Sequence, residues 1–597
     1  MKESKALKTG FSIKKIRAYD ICLLLFIAVV LPFLLWKCRY GYGALDEPFY
    51  LTLPQRLSAG DALLSEEWNL SQLSGFLLLP FYGLHRLIFT STESIILHFR
   101  YFYVITHLFS GCLIYFLLRR YQFGAAAAAA VFILFTPYDI MALSYNTMGL
   151  MGMALCLAFL SCEKHPRFCS AAAGFCFAAA VLCNPYLITI YLLALCAAVL
   201  VWIFTAKVKN NKPEHSIPWE KILFFTLGAA ILALLFMLYV FARTDLSEIL
   251  TNLKYILNDP DHASRSFYAV VHSYFYTLTT TFRSFLMPWL VVLIIALTDR
   301  NRYRNGWMYF CLTALLTAIA ILTRIPSIQT DYNYIMFPGA ACGLSAYLLT
   351  PHKNHRIFMQ IWLPGMLYTF CLTWASNQGV NAASMGMPVV LIGSILLIRE
   401  LLLQIPAQAD RYARKLPLGI ALLLLASQLL TQCYTKSVHA FWEPSVGELN
   451  TELTQGPLRG LRTTPEHADA YHTLLSEIAD YASGEEPVLF LTSSPWCYLY
   501  ADRTYGTYSS WISTLSSSTD ADTTEHLLSR LSEYYTLHPE RIPQDIYIAK
   551  NDLGDFSFLS DAETWTPFTV TDVSGASFDY SVSESANGYH LTRIFTK

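Results

Sequence analysis

Asp46 and Glu47 stand side by side immediately before Pro48. A carboxylate in such a position can take a proton from an attacking hydroxyl, acting as a general base. Pro48 fits the first position of a helix, which puts the two acids at its N-terminus, where backbone N–H groups and the helix dipole favour the ionised form. An ordinary capping role fits the same pair, and both readings stay open at this point. Hard oxygen ligands such as Asp46, Glu47 and Asp139 also suit Mg²⁺ or Mn²⁺. Arg100 and Arg324 are the best-placed cations for holding an anionic leaving group. His85, Arg86, Arg243, Arg265 and Arg283 are further candidates, with snorkelling to lipid headgroups as the plainer account of each. The phosphate loop GxxxxGK[ST], the GxSxG elbow, HExxH and CxxC are all absent.

The elements that must carry these residues are set by composition. Of 597 residues, 54% are hydrophobic and 14% charged, with a mean hydropathy of +0.39. This excludes a water-soluble globule and a disordered chain, and a formal charge of −1 gives no electrostatic footing for nucleic acid. From Lys436 onward the chain holds 9 Lys and Arg against 23 Asp and Glu, so an acidic tail of net −14 follows a basic body of net +13. We therefore expect an all-α polytopic membrane domain over residues 1–435 and a smaller soluble domain over 436–597.

The apolar runs predict about thirteen transmembrane helices, the first from about Tyr19 to Trp36 and the last near 417–434. Basic residues cluster in alternate loops, as at Arg119-Arg120, Lys164 with Arg167, Arg300 with Arg302, and Lys353 with Arg356. Loops opposite, at 137–146, 184–186 and 376–383, carry neither Lys nor Arg. The positive-inside rule then makes the N-terminus cytoplasmic and the C-terminal domain extracytoplasmic, in an integral multi-pass protein of a membrane such as the bacterial plasma membrane. The long first outer loop, about 37–92, is expected to hold helices lying in the membrane interface. Strand-like runs (Val488–Thr492, Asp545–Ala549, Phe578–Val582) alternate with helix-like ones (Glu466–Tyr481, Thr523–Tyr535), which predicts an α/β or α+β fold for the C-terminal domain. Cys38 and Cys497 alone fall outside apolar stretches, and their pairing is open.

The run Asp46-Glu47-Pro48-Phe49-Tyr50, the segment from Gly75 through Pro80 to Leu84, and Leu97-His98-Phe99-Arg100-Tyr101 together resemble the GT-C superfamily. Among its members they are similar to the dolichyl-phosphate-mannose protein mannosyltransferases and the bacterial aminoarabinose transferases acting on lipid A. The resemblance implies Asp46 as the catalytic acid with Glu47 beside it, and Arg100 as the basic residue opening the second span. Two positions depart from the pattern: Asn184 stands before Pro185 where the family usually has Lys, and Asn146 stands where an acid is usual, the nearest one here being Asp139. Arg100, Arg324, Asp139 and Asn146 are the expected substrate-binding set.

What this implies is a membrane glycosyltransferase that moves a sugar from a polyprenyl-phosphate donor to an extracytoplasmic acceptor. Its partners would be that donor, the membrane lipids and the acceptor. Such transfer needs a base for the acceptor hydroxyl, a cation for the departing phosphate and a groove for the lipid tail. The alternatives are a transporter or flippase of lipid-linked sugars, which calls for charges in mid-span, and a GT-C-like protein without activity.

Overall fold

Apolar stretches of this length fold as helices because lipid offers the backbone no polar partner other than itself. A computed structural model describes residues 16–43, 46–208, 219–258, 266–323, 333–376, 379–405, 411–441, 443–511, 521–549 and 579–594. The chain opens with α1 (Ala18–Lys37), α2 (Asp46–Ala59), α3 (Ser74–Ile88), α4 (Ile95–Leu118), α5 (Phe123–Leu134), α6 (Tyr145–Ser161) and α7 (Pro166–Cys183). Next come α8 (Ile188–Val208), α9 (Trp219–Phe241), α10 (Leu246–Leu257), α11 (Phe267–Thr280), α12 (Arg283–Thr298), α13 (Arg302–Leu322) and α14 (Asn333–Leu349). A short α15 (His355–Ile357) passes through a π-turn at Phe358–Trp362 into α16 (Leu363–Ala375), followed by α17 (Met387–Gln404) and α18 (Arg411–Val438).

Among the described residues eight helices are long and apolar enough to cross a membrane, and α11 with α12, bent by 82°, make a ninth span if counted as one. The protein is an integral multi-pass membrane protein. The expected thirteen spans resolve into these nine and four shorter apolar helices, α5, α6, α8 and α14, at the remaining positions. Their shortness has a local cause in α5, whose 12 residues rise only about 18 Å. Its last helical residue is Leu134, after which Phe135 turns extended ahead of Pro137. The chain then runs through 135–144 with mostly buried side chains, carrying Thr136 and Asp139 into the protein.

Small residues set the closest helix contacts. A Cβ on Gly174 would lie 1.8 Å from the Phe225 carbonyl oxygen, and one on Gly228 would lie 1.9 Å from that of Ala171, so α7 and α9 touch backbone to backbone. At one end of the bundle Arg120 and Arg356 both pair with Glu163. Lys37, Asp139 and Lys436 meet at the other, which is the end carrying the C-terminal region.

That region holds α19 (Pro465–Glu477), α20 (Trp496–Ala501) and α21 (Ala521–Leu537), with a two-stranded ladder of β1 (Thr451–Glu452) and β2 (Arg462–Thr463). Its main sheet has four strands, β3 (Val488–Leu491), β4 (Asp545–Ala549), β5 (Asp579–Glu584) and β6 (Gly588–Ile594), in the order β3-β4-β6-β5. The β3–β4 pair is parallel and the other two are antiparallel, a small mixed sheet. Cys38 and Cys497 are both buried and are not joined in a disulfide.

The first loop departs from expectation in one respect. Eleven of the fourteen residues of α2 are buried, so this helix does not lie on lipid. The C-terminal region covers it. Gln55 donates to Asp502 at 2.7 Å and accepts from the Tyr505 hydroxyl at 2.7 Å, the Arg56 guanidinium lies 4.9 Å from the Tyr505 ring centre, and Trp511 meets Phe49 edge-on at 4.9 Å.

Candidate functional site

Asp46 and Glu47 are the first two residues of α2, as expected, but they face different surroundings. Glu47 is 3% exposed and bound to Arg100, itself 5% exposed. The Arg100 Nε donates to both Glu47 carboxylate oxygens, at 3.0 and 3.1 Å, and Nη2 donates to Oε2 as well. Its remaining donors reach backbone: Nη1 to the Cys38 and Tyr40 carbonyls at 2.8 and 3.1 Å, and Nη2 to Gly41 at 2.9 Å. The expected phosphate grip of Arg100 is therefore not what this geometry supports. Its fork is consumed in holding Glu47 and the turn after the first span, as a buried guanidinium requires. Gly43 shows how tight the clamp is: with φ +57 it adopts a left-handed conformation, and a Cβ there would lie 2.2 Å from Glu47 Oε2.

Asp46 is half-buried and accepts from the Tyr50 hydroxyl at 3.4 Å. Burial pushes its carboxyl up to about 7, with the neighbouring Glu47 charge adding to the rise and the Tyr50 hydrogen bond opposing it. The helix start does not keep this acid firmly ionised. It titrates near neutrality, where a general base works best. The ring of Tyr50 meets Tyr145 edge-on at 5.8 Å, and Tyr145 lies within electrostatic reach of Tyr186.

Asp139 is held between two lysines. Burial alone would raise its carboxyl, but Lys436 and Lys37 outweigh that and hold it below the usual range. The Lys436 Nζ donates to Oδ1 at 2.5 Å, and the Lys37 Nζ lies 3.2 Å from Oδ2. Glu47, Arg100, Asp139 and Lys37 border one small cavity. Asn146 sits 9% exposed in the first turn of α6, whose start is capped by Ser144. Arg324 and Arg265 lie outside the described residues. Of the other cations, Arg86 pairs with Asp502 at 3.0 Å, Arg243 stacks on Tyr239 at 4.1 Å, and His85 meets His98 at 3.1 Å.

Mg²⁺ or Mn²⁺ on Asp46, Glu47 and Asp139 does not fit these residues. Two of the three carboxylates already have buried cations as partners, and Asp46 alone is not a ligand set. Among the described residues, ligand atoms close enough to share an ion occur at Glu66, His538 and Glu540, where Glu66 already pairs with Arg541.

The members missed in the sequence are Lys37, Lys436, Tyr50 and Tyr145. A signal for the lysines was present: each ends a span on the face where the loops are otherwise poor in positive charge. From the same face a cavity of about 1330 Å³ runs down between α6–α9, α11 and α16. Tyr186 and Trp374 stand at its upper end and Lys221 and Gln360 at its lower, with Leu157, Phe177, Phe225 and Phe370 among the apolar side chains between. Met359 and Gln360 of the π-turn form part of this wall, and π-turns recur at functional sites.

No protein family matches this chain, and no curated protein matches it. Among solved structures it is similar to the crystal structure of ArnT from Cupriavidus metallidurans bound to undecaprenyl phosphate, with 14% sequence identity over 96% of this chain and 97% of that one and a TM-score of 0.43.

Proposed function

We propose that this protein is a membrane glycosyltransferase of the GT-C type, moving a sugar from a polyprenyl-phosphate donor to an acceptor hydroxyl on the extracytoplasmic face. The observation that carries the proposal is the placement of Asp46. A half-buried carboxyl pushed up to about 7 stands at the start of α2, and its partner Tyr50 meets Tyr145, which lies within electrostatic reach of Tyr186 at the mouth of an apolar groove in the membrane body. The groove accepts the lipid tail, so the donor arrives through the bilayer and no nucleotide-binding fold is needed. Asp46 takes the proton from the acceptor hydroxyl as its oxygen attacks the anomeric carbon. The bond from that carbon to the phosphate oxygen breaks, and polyprenyl phosphate leaves with the electron pair. Arg100 acts here as a positioning residue, fixing Glu47 and thereby the start of α2.

Transport of a lipid-linked sugar finds less support. Lys221 is the one charged side chain lining the groove among the described residues, so a phosphate headgroup has no polar path across. The test is to incubate the purified protein in lipid nanodiscs with lipid-linked sugars extracted from bacterial membranes and to follow the lipids by mass spectrometry. Conversion of a polyprenyl-phosphate sugar to free polyprenyl phosphate is expected; an unchanged lipid pool with every extract and added acceptor fraction would contradict the proposal.

A further inference from the structure

Helix α10 (Leu246–Leu257) begins just after the α9 span ends at Phe241. At about 100° per residue, Glu248, Asn252 and Tyr255 share one of its faces. That face is bound to the rest of the protein. Glu248 accepts from the Ser65 hydroxyl and from Thr244 at 2.8 Å, the Trp68 Nε1 donates to the Asn252 side-chain oxygen at 2.9 Å, and the Tyr255 ring stacks on Trp68 at 4.3 Å. Arg530 of α21 donates to the Tyr255 and Asn258 carbonyls, at 3.0 Å each. α10 therefore ties the loop between α2 and α3 to the C-terminal region.

The opposite face is open. Leu246, Leu250 and Leu257 are 59%, 61% and 66% exposed, and half-buried Leu253 stands in line with them. These four leucines fall within an arc of about 60°, centred about 160° from the bound face. Their alternating four- and three-residue spacing continues a stripe on α9, where Leu227, Ile231, Leu234, Leu238 and Phe241 are exposed in the same rhythm. That stripe belongs to a membrane span, so lipid covers it. A cation on an aromatic ring stands near each end of α10: Arg243 lies 4.1 Å from the Tyr239 ring centre, and Lys254 lies 4.4 Å from that of Tyr255. Amphipathic side chains of both kinds suit the boundary between hydrocarbon and headgroup.

We propose that the leucine face of α10 is seated in the phospholipid surface at the end of the bundle that carries the C-terminal region, with the leucines at the acyl boundary and Arg243 and Lys254 among the headgroup phosphates. Lipid is the occupant, rather than a second protein, because the face prolongs the lipid-facing stripe of α9 and is flanked by cations on aromatic rings, as in a helix lying in the interface. The reach of the chain agrees. From Phe241 to Leu246 it can extend at most about 18 Å, so α10 starts close to the level at which the α9 span ends. The C-terminal region then rests on the bilayer through α10 and Arg530, while the same region covers α2 at Gln55 and Phe49. This seat is independent of the reaction the protein performs.

The experiment puts the photoreactive residue p-benzoylphenylalanine in place of Leu250 in the full-length protein, held in nanodiscs of phosphatidylethanolamine and phosphatidylglycerol. This side chain is apolar, so it preserves the seat. After irradiation, intact-mass measurement should show the protein heavier by one phospholipid, and the same label in place of exposed Ser532 on α21 should give no such adduct. Capture of a second copy of the chain from position 250, or no lipid adduct there, overturns the proposal. A second readout uses no label. Leu250→Gln combined with Leu253→Gln keeps the helix propensity but weakens the seat, so trypsin should cleave after Lys254 roughly tenfold faster than in the wild type. Leu250→Met combined with Leu253→Met should keep the wild-type rate. Equal cleavage of the wild type and the glutamine variant would mean that this face stands in water, and would overturn the proposal as well.

Discussion

Asp46→Asn separates a catalytic acid from a helix cap, because the two roles predict opposite changes in stability. An acid whose ionisation moves from 3.8 to about 7 on folding binds its proton more tightly in the folded state. Stability is unaffected below about pH 4, where both states are protonated, and falls as pH rises from about 4 to about 7. At pH 8 the full penalty is at most about 4 kcal/mol, and solvent access to this half-buried carboxyl brings it to about 2 kcal/mol. Asn removes that penalty while keeping the size and the acceptor oxygen for Tyr50. The variant should therefore unfold at higher temperature than the wild type at pH 8, with the difference vanishing near pH 4, and its turnover should drop by roughly 10² to 10⁴. Thermal unfolding monitored by intrinsic fluorescence across that pH range, beside turnover of a lipid-linked sugar, measures both. A less stable Asp46→Asn at pH 8, or one that turns over normally, would refute the reasoning and leave Asp46 as a cap.

Wild-type turnover should rise about tenfold from pH 6 to pH 8 as Asp46 ionises, and Tyr50→Phe, which removes the hydrogen bond favouring the carboxylate, should move the midpoint to higher pH. Arg100→Gln should destabilise by about 3 to 5 kcal/mol by leaving Glu47 charged and unpaired, whereas the double variant Glu47→Gln with Arg100→Gln should recover part of the loss; size-exclusion profiles of fluorescent fusions would report it. Gly43→Ala should lower thermal stability by about 1 kcal/mol or more, since its Cβ would meet the Glu47 carboxylate in a left-handed backbone. A cysteine at exposed Ser532 should react with an impermeant thiol reagent on intact cells, and one at exposed Asn301 only after lysis.

Much of the membrane body was legible in the sequence because lipid imposes a local rule: every apolar run predicted as a span coincides with a helix. Length within those runs was less legible. The 12-residue α5 reads as part of a longer apolar stretch until Pro137, and only the tertiary structure shows the chain leaving the helix at Phe135 to carry Asp139 inward. Asp46 and Glu47 were found at the start of a helix, where Pro48 and their spacing put them. Their different surroundings were not legible, because those depend on partners far away in the chain. Glu47 meets Arg100 53 residues on, and Asp139 meets Lys436 297 residues on. Arg100 at a span mouth resembles a ligand contact in sequence; in the folded protein the carbonyls of Cys38, Tyr40 and Gly41 occupy its donors. The lysines carried a weak signal, two positive charges at span ends opposite the basic loops. The covering of α2 by the C-terminal region had none, since Gln55, Asp502 and Tyr505 are unremarkable until they meet.

Release of polyprenyl phosphate from a lipid-linked sugar, with Asp46 as the base, is the step on which the proposed function stands. The most direct measurement is single-turnover release of polyprenyl phosphate at pH 8 by purified wild-type and Asp46→Asn proteins, with farnesyl monophosphate binding run alongside to show that both remain folded and ligand-competent. Release by the wild type is expected, at a rate lower by roughly 10² to 10⁴ in the variant, with binding intact in both. Equal release by the two proteins would contradict it.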